Sequence, residues 1–100
     1  MSERRTVRVI VTGRVQGVGF RAWTHHQAEL HGVDGWVRNR RDGSVEAVFS
    51  GPPAMIEVLI KTCGRGPAGS QVAGVEVTPV DDVDLDEPVT PGLFRVLPTV

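Results

Sequence analysis

The sequence has little of what several classes of protein require. A single cysteine, Cys63, excludes an internal disulfide and favours a reducing compartment over a small secreted scaffold. A net charge of -1 and five aromatic residues give neither the basic surface nor the stacking platforms of a nucleic-acid-binding module. No stretch approaches the roughly 20 apolar residues of a membrane helix, and no signal-peptide-like run follows residues 1–6. We expect a cytoplasmic protein that binds neither nucleic acid nor membrane.

The chain has the length and composition of one globular domain. Its 100 residues are 40% hydrophobic and 23% charged. A chain of this length buries about two thirds of the surface that it exposes when unfolded, which is enough for a single core. No internal repeat divides the sequence. We therefore expect a single domain over residues 1–100 that acts as a monomer.

Hydrophobic periodicity predicts five strands and two helices. Alternating valines mark the first strand, at Val7, Val9 and Val11. An i, i+3, i+4, i+7 stripe marks the second helix, at Ile56, Leu59, Ile60 and Cys63. An Asp-Gly turn at 41–43 joins two strands into a hairpin. The predicted strands are 6–12, 36–40, 44–50, 72–80 and 94–97, and the predicted helices are 20–31 and 53–63.

The order of these elements predicts the fold class. Strand, helix, strand, strand, helix, strand is the order of the ferredoxin-like, split βαβ arrangement. We expect an α+β protein, a βαββαβ sandwich with two helices packed on one face of an antiparallel sheet of four to five strands. The acidic segment 81–92, which contains two prolines, is expected to be a surface loop. Because this fold carries many unrelated functions, the function must be inferred from a site.

A glycine-rich loop leads from the first strand into the first helix. Three glycines within residues 13–19 let successive N–H groups turn toward one point, and such a nest binds anions. The helix that follows adds the free N–H groups and the positive dipole end of its first turn. Arg21 lies in that turn, where a cation disfavours the helix but can grip a phosphate with two parallel hydrogen bonds. The same spacing is also typical of a tight connection beside a solvated arginine, so spacing alone leaves both interpretations open.

The sequence offers no ligands for a metal or cofactor beside this loop. No Asp or Glu cluster accompanies the loop, and no Gly-Lys-Ser/Thr ends it. Cys63 is followed by Gly64 and does not begin a Cys-x5-Arg motif. The spacing of His25, His26 and His31 is a poor fit to an i, i+4 zinc pair. We expect no metal and no cofactor.

Two other groups of side chains are open to two interpretations each. Arg38, Arg40 and Arg41 form a small basic run that is typical of a solvated hairpin end but would also attract anionic substrates. Trp23 and Trp36 have the chemistry of base-stacking platforms, yet one tryptophan in each element is more typical of core or rim residues. Neither group decides the function by itself.

Two motifs make the chain resemble the acylphosphatase family. The first is the loop with its arginine, Gly13-Arg14-Val15-Gln16-Gly17-Val18-Gly19-Phe20-Arg21. The second is Gly35-Trp36-Val37-Arg38-Asn39, followed by Asp42-Gly43-Ser44-Val45. The similarity extends from about Val7 to Phe94-Arg95-Val96. This resemblance implies an enzyme that hydrolyses small acyl phosphates to a carboxylate and inorganic phosphate.

The resemblance also implies a role for each motif. It assigns Arg21 and the 14–20 loop to the substrate phosphate and Asn39 to the attacking water. The phosphate-binding residues that it implies are Gln16, Gly17, Val18, Gly19, Phe20 and Arg21. Inorganic phosphate is then expected to be an inhibitor as well as a product. The sequence departs from the family pattern at His31, Thr62 and Cys63, which are helix positions that concern packing.

Two rival functions are weighed against this one. A ferredoxin-like module that binds nucleic acid would need exposed aromatic residues and a basic surface, which the composition does not supply. An acylphosphatase-like domain could also serve a larger enzyme that uses carbamoyl phosphate. Because no linker sequence precedes the end at Val100, we expect a free-standing enzyme.

Overall fold

The computed structural model describes residues 3–100, which form two α-helices, five strands and one short 3-10 turn. In chain order the elements are β1 (Arg5–Arg14), α1 (Phe20–Leu30), β2 (Asp34–Asn39), β3 (Val45–Gly51), α2 (Pro53–Arg65), β4 (Gln71–Pro79), the 3-10 turn (Asp82–Asp84) and β5 (Phe94–Val96). Every predicted strand and helix is confirmed, with ends that differ by two residues at most.

The five strands form one mixed sheet in the order β4-β1-β3-β2-β5. Neighbouring strands are antiparallel except β2 and β5, which run parallel with Gly35 opposite Phe94. The prediction of an antiparallel sheet is therefore wrong at β5. Because β4 and β5 are the two edge strands, the chain crosses the sheet between them. β5 then starts at the end where β4 stops, so it runs opposite to β4 and parallel to β2.

The core lies between the sheet and the two helices, which pack on the same face, as the ferredoxin-like βαββαβ arrangement requires. Alternate strand residues fill it, namely Val7, Val9, Val11, Val37, Val45, Ala47 and Phe49. From α2, Ile56, Leu59 and Cys63 are buried as predicted. Ile60 is only partly buried, whereas Thr62 is buried and donates its hydroxyl to the carbonyl of Val58 at 2.7 Å.

The rear face, which is the side of the sheet away from the helices, is covered by residues 80–93, here called the crossing segment. Trp36 is fully buried beneath it and donates its indole N–H to the carbonyl of Glu87 at 3.0 Å. The guanidinium of Arg38 donates to both carboxylate oxygens of Asp86, at 2.9 and 3.1 Å. The acidic segment 81–92 is a surface loop, as predicted, and it also covers Trp36, one of the two tryptophans.

A buried carboxylate lies at the centre of the rear face. Glu46 is 1% exposed and accepts hydrogen bonds from Arg38 Nε at 2.8 Å and from Arg40 Nη1 at 3.3 Å. Arg8 Nε lies 3.0 Å from the other carboxylate oxygen of Glu46. Burial acts to lower the pKa of Arg38, but the hydrogen bonds and charges of Glu46 and Asp86 outweigh it and raise that pKa. Arg38 and Glu46 therefore form a buried ion pair, whereas the side chain of Arg40 is 41% exposed and lies at the solvent edge of this cluster.

Removing the central charge of this cluster should destabilise the fold. We expect Glu46→Gln to lower the free energy of unfolding by about 3 kcal/mol, because Arg38 stays buried without its full charge partner. Breaking a buried ion pair typically costs about 3–5 kcal/mol, and we expect the lower end of this range. Two of the three arginines around Glu46, Arg8 and Arg40, reach solvent and depend less on its charge. Urea unfolding measures it, with Glu76→Gln on exposed β4 as the control. Equal unfolding free energies for the two variants would contradict this account.

Candidate active site

The loop between β1 and α1 presents a row of backbone donors. Gly17 and Gly19 have φ angles of 74° and 77°, in the left-handed region that glycine adopts without strain. Gly19 is the N-cap of α1 and supplies no side-chain cap, and the first helical hydrogen bond runs from Trp23 N to Gly19 O. Within residues 3–100, no acceptor takes the N–H groups of residues 16–19. The predicted nest is therefore open to an anion.

The loop starts two residues later than its glycines suggest. Gly13 and Arg14 were predicted to be in the loop, but they still belong to β1 and pair with Val72 and Gln71 of β4. The register shifts by one residue between Thr12 and Gly13, as in a β-bulge. A Cβ on Gly13 would lie 2.3 Å from the carbonyl oxygen of Gln71. Gly13 thus permits close strand packing and takes no part in the nest.

The side chain of Gln16 ties the loop to the β2–β3 hairpin. Its Nε2 donates to the carbonyl of Arg40 at 2.7 Å and to the carbonyl of Ser44 at 2.8 Å. The hairpin turn is closed by Asp42, which accepts from the Ser44 hydroxyl and amide at 2.6 and 2.9 Å. These hydrogen bonds lower the pKa of Asp42. Of Gln16, then, only the backbone N–H is available to the nest.

One cavity of about 420 Å³ brings the two sequence motifs together. Arg21 reaches it from the first turn of α1, and Asn39 reaches it from the last residue of β2. The other lining residues are Val15, Gln16, Gly17, Gly19, Phe20, Ala22, His25 and Val96. Val18, which was predicted to bind phosphate, does not line it, because its side chain packs against the core. Its backbone N–H is one of the free donors of the loop.

The side chains of Arg21 and Asn39 form no ion pair or hydrogen bond with other residues in the part of the chain that the structure describes. The guanidinium of Arg21 forms no ion pair within residues 3–100, and the amide of Asn39 takes part in no hydrogen bond there. The backbone of Asn39, by contrast, is fixed. It pairs with Val45 in the sheet, and its carbonyl accepts from Val100 N at 3.1 Å. Both side chains are thus available for a ligand.

The acylphosphatase family model matches residues 7–87, which contain both motifs of this cavity. The chain belongs to the acylphosphatase family. The expected family is therefore confirmed, and so is the expectation that the chain is an enzyme that hydrolyses acyl phosphates.

Relatives of nearly the same length support this membership. An acylphosphatase of Bradyrhizobium diazoefficiens is 46% identical over 99 residues, which cover 97% of this chain and 98% of that one. An acylphosphatase of Nitrobacter hamburgensis is 48% identical over 93 residues, covering 92% of this chain and 93% of that one. The crystal structure of acylphosphatase from Bacillus subtilis superimposes with a TM-score of 0.81 at 33% identity, covering 95% of this chain and 99% of that one.

Other residues of this acylphosphatase that could carry chemistry lie elsewhere. Cys63 is buried in the core, and burial raises the pKa of its thiol to about 12, so it is not a nucleophile at neutral pH. Within residues 3–100, no three His, Cys, Asp or Glu side chains are grouped as a metal site requires. Neither α1 nor α2 is long and apolar enough to cross a membrane.

Sequence reasoning missed one polar residue of the cavity. His25 lines the cavity and lies one helical turn after Arg21 on α1. The centroid of its ring lies 6.2 Å from the ring centroid of Phe94. The i, i+4 spacing from Arg21 was the available signal, because residues four apart share a helix face. His26, by contrast, is exposed. His31 lies at the end of α1, where its Nδ1 is 2.7 Å from the carbonyl oxygen of Gln27.

Proposed function

We propose that this acylphosphatase cleaves the carboxyl–phosphate bond of small acyl phosphates, with Arg21 and the loop holding the phosphate and Asn39 holding the attacking water. The observation that carries the proposal is the shared cavity of about 420 Å³. It joins the N–H groups of the loop, the guanidinium of Arg21 and the amide of Asn39, which lie in three different parts of the chain and have no partner within residues 3–100. Donors of this kind recognise a tetrahedral anion, and an amide orients a water.

The proposed chemistry requires positioning and charge stabilisation more than acid catalysis. An acyl phosphate leaves as a carboxylate whose conjugate acid has a pKa of about 4, so its departure at neutral pH needs no proton donor. The water oxygen attacks phosphorus, the bond from phosphorus to the acyl oxygen breaks, and the carboxylate takes the electron pair. The Asn39 amide is not basic enough to deprotonate the water. A phosphoryl oxygen of the substrate takes that proton, which yields inorganic phosphate.

Arg21 and the loop donors supply the charge stabilisation in this scheme. They meet the phosphoryl oxygens, where the charge of a phosphoryl-transfer transition state is spread. The nest remains complementary to the product, so we propose that inorganic phosphate is a competitive inhibitor. We also propose that the reaction needs no metal. Action as a free-standing monomeric domain over residues 1–100, of which Met1 and Ser2 lie outside the described residues, stays a prediction, as does a cytoplasmic location.

A matched pair of substrates tests the proposal. We expect benzoyl phosphate to be hydrolysed and benzyl phosphate, in which a methylene replaces the carbonyl, to react at least about 10⁴-fold more slowly. The reason is that an alkoxide is a much poorer leaving group than a carboxylate, and the proposed mechanism assigns no proton donor to it, because Arg21, Asn39 and the loop N–H groups do not give up a proton at neutral pH. Hydrolysis of benzoyl phosphate should also continue in excess EDTA. Similar rates for the two substrates would refute the mechanism, and loss of activity in EDTA that Mg²⁺ restores would refute metal independence.

A further inference from the structure

The cavity extends beyond the loop along one side of α1. Its volume of about 420 Å³ lies within the range of roughly 300–1,000 Å³ that is typical of small-molecule sites, so it has room for more than a phosphate group. His25 follows Arg21 by one helical turn, about 6 Å further along the axis and on the same face. Ala22 and Val96 line the cavity beside it. When the loop holds the phosphate of a substrate, the acyl group can therefore lie against this part of the cavity.

The imidazole of His25 is directed toward the sheet. Its ring packs at 6.2 Å and 42° to the ring of Phe94, and its side chain is 36% exposed. With Arg21 and Asn39 at the loop end of the cavity, His25 is the polar side chain that lines the part beyond them. From this placement we infer that His25 contacts the acyl group, and that the site favours acyl groups bearing a carboxylate when the imidazole is protonated. The inference rests on the proposed function, because the loop must hold the phosphate.

The charges around His25 are consistent with this role. On α1 it is faced by Arg21 one turn earlier and by Glu29 one turn later, whose Oε2 is 3.6 Å from His25 Nε2. From the sheet, Asn39 and Val96 line the same cavity and Phe94 packs against the imidazole, and none of these three side chains is charged. Glu29 is 61% exposed, so its pairing with the imidazolium is weak. Because an imidazolium has two N–H donors, it can meet Glu29 and a substrate carboxylate together.

Two aromatic substrates that differ by one charge test the inference. The experiment compares kcat/KM for 4-carboxybenzoyl phosphate with kcat/KM for benzoyl phosphate at about pH 5.5 and about pH 8, on either side of the histidine range. The ratio cancels the ionisation of the phosphate, which both substrates share. In the natural protein this ratio should rise about two- to fivefold at the lower pH, the size expected for a partly exposed charge pair.

Two neighbouring histidine variants complete the test. The ratio should not vary with pH in His25→Gln, whereas His26→Gln, at an exposed position of the same helix, should behave like the natural protein. A ratio that is independent of pH in the natural protein, or one that keeps its pH dependence in His25→Gln, would overturn the inference. Failure of the natural protein to hydrolyse benzoyl phosphate would instead overturn the proposed function. The first of these outcomes needs no variant, so the inference can be rejected even if His25→Gln folds poorly.

Discussion

Arg21→Ala should abolish turnover and inhibition by inorganic phosphate together. We expect kcat/KM for benzoyl phosphate to fall by about 10³–10⁵, the value of an arginine that stabilises a phosphoryl-transfer transition state. The competitive inhibition constant of phosphate should rise in parallel, because in the proposed mechanism the same guanidinium also binds the phosphate in the ground state. The fold should survive, since Arg21 forms no ion pair within residues 3–100.

Two further variants make the Arg21 experiment specific. Arg21→Lys should recover little activity, because a point charge cannot replace the two parallel hydrogen bonds of a guanidinium. Arg65→Ala, at an exposed position in the last turn of α2, removes the same charge from the molecule away from the cavity and should leave the kinetics unchanged. A folded Arg21→Ala protein that binds phosphate with unchanged affinity would remove Arg21 from the site.

Asn39→Ala should separate binding from chemistry. We expect kcat to fall by about 10²–10³ while the inhibition constant of phosphate stays nearly constant, because the variant keeps the loop and Arg21 but loses the group that places the water. Asn39→Asp is a useful companion, since a carboxylate can hold water but repels an anionic substrate. Steady-state kinetics with benzoyl phosphate, with and without inorganic phosphate, measures both constants on one preparation.

A structural role for Asn39 predicts a different result. If its side chain only held the hairpin end, Asn39→Ala would lower the melting temperature and leave the kcat of the folded protein unchanged. The structure provides a control for such damage in Ser44→Ala, which breaks the hydrogen bond of the Ser44 hydroxyl to Asp42 in the same turn. Ser44→Ala should lower stability with little change in kcat. An unchanged kcat in Asn39→Ala would refute the proposed role.

The parts of the fold that follow from local pattern were predictable. The alternation of Val7, Val9 and Val11 fixed one face of β1, and all three valines are at most 1% exposed. The Asp-Gly turn fixed the hairpin that carries Asn39, because Asp42 closes that turn with its own side chain. The glycines of the loop predicted a turn with positive φ, which Gly17 and Gly19 adopt at 74° and 77°.

The parts that depend on distant segments were not predictable. Glu46 in an alternating strand has the pattern of a solvent-facing residue, and only the crossing segment and three arginines make it a buried one. The direction of β5 depends on where the chain recrosses the sheet, which no local signal encodes. The side-chain amide of Gln16 donates to two backbone carbonyls more than 20 positions along the chain. Because every residue has a backbone carbonyl, the sequence does not indicate which ones Gln16 contacts.

The side-chain amide of Gln16 also bears on how the site is ordered before a substrate binds. Gln16 donates to the carbonyls of Arg40 and Ser44, so these two hydrogen bonds restrain the loop against the hairpin. In the proposed mechanism, the spacing between the loop and Asn39 is then set during folding and need not be found anew with each substrate. The entropic cost of ordering these protein groups is therefore met when the chain folds, and each catalytic cycle starts from groups that are already aligned.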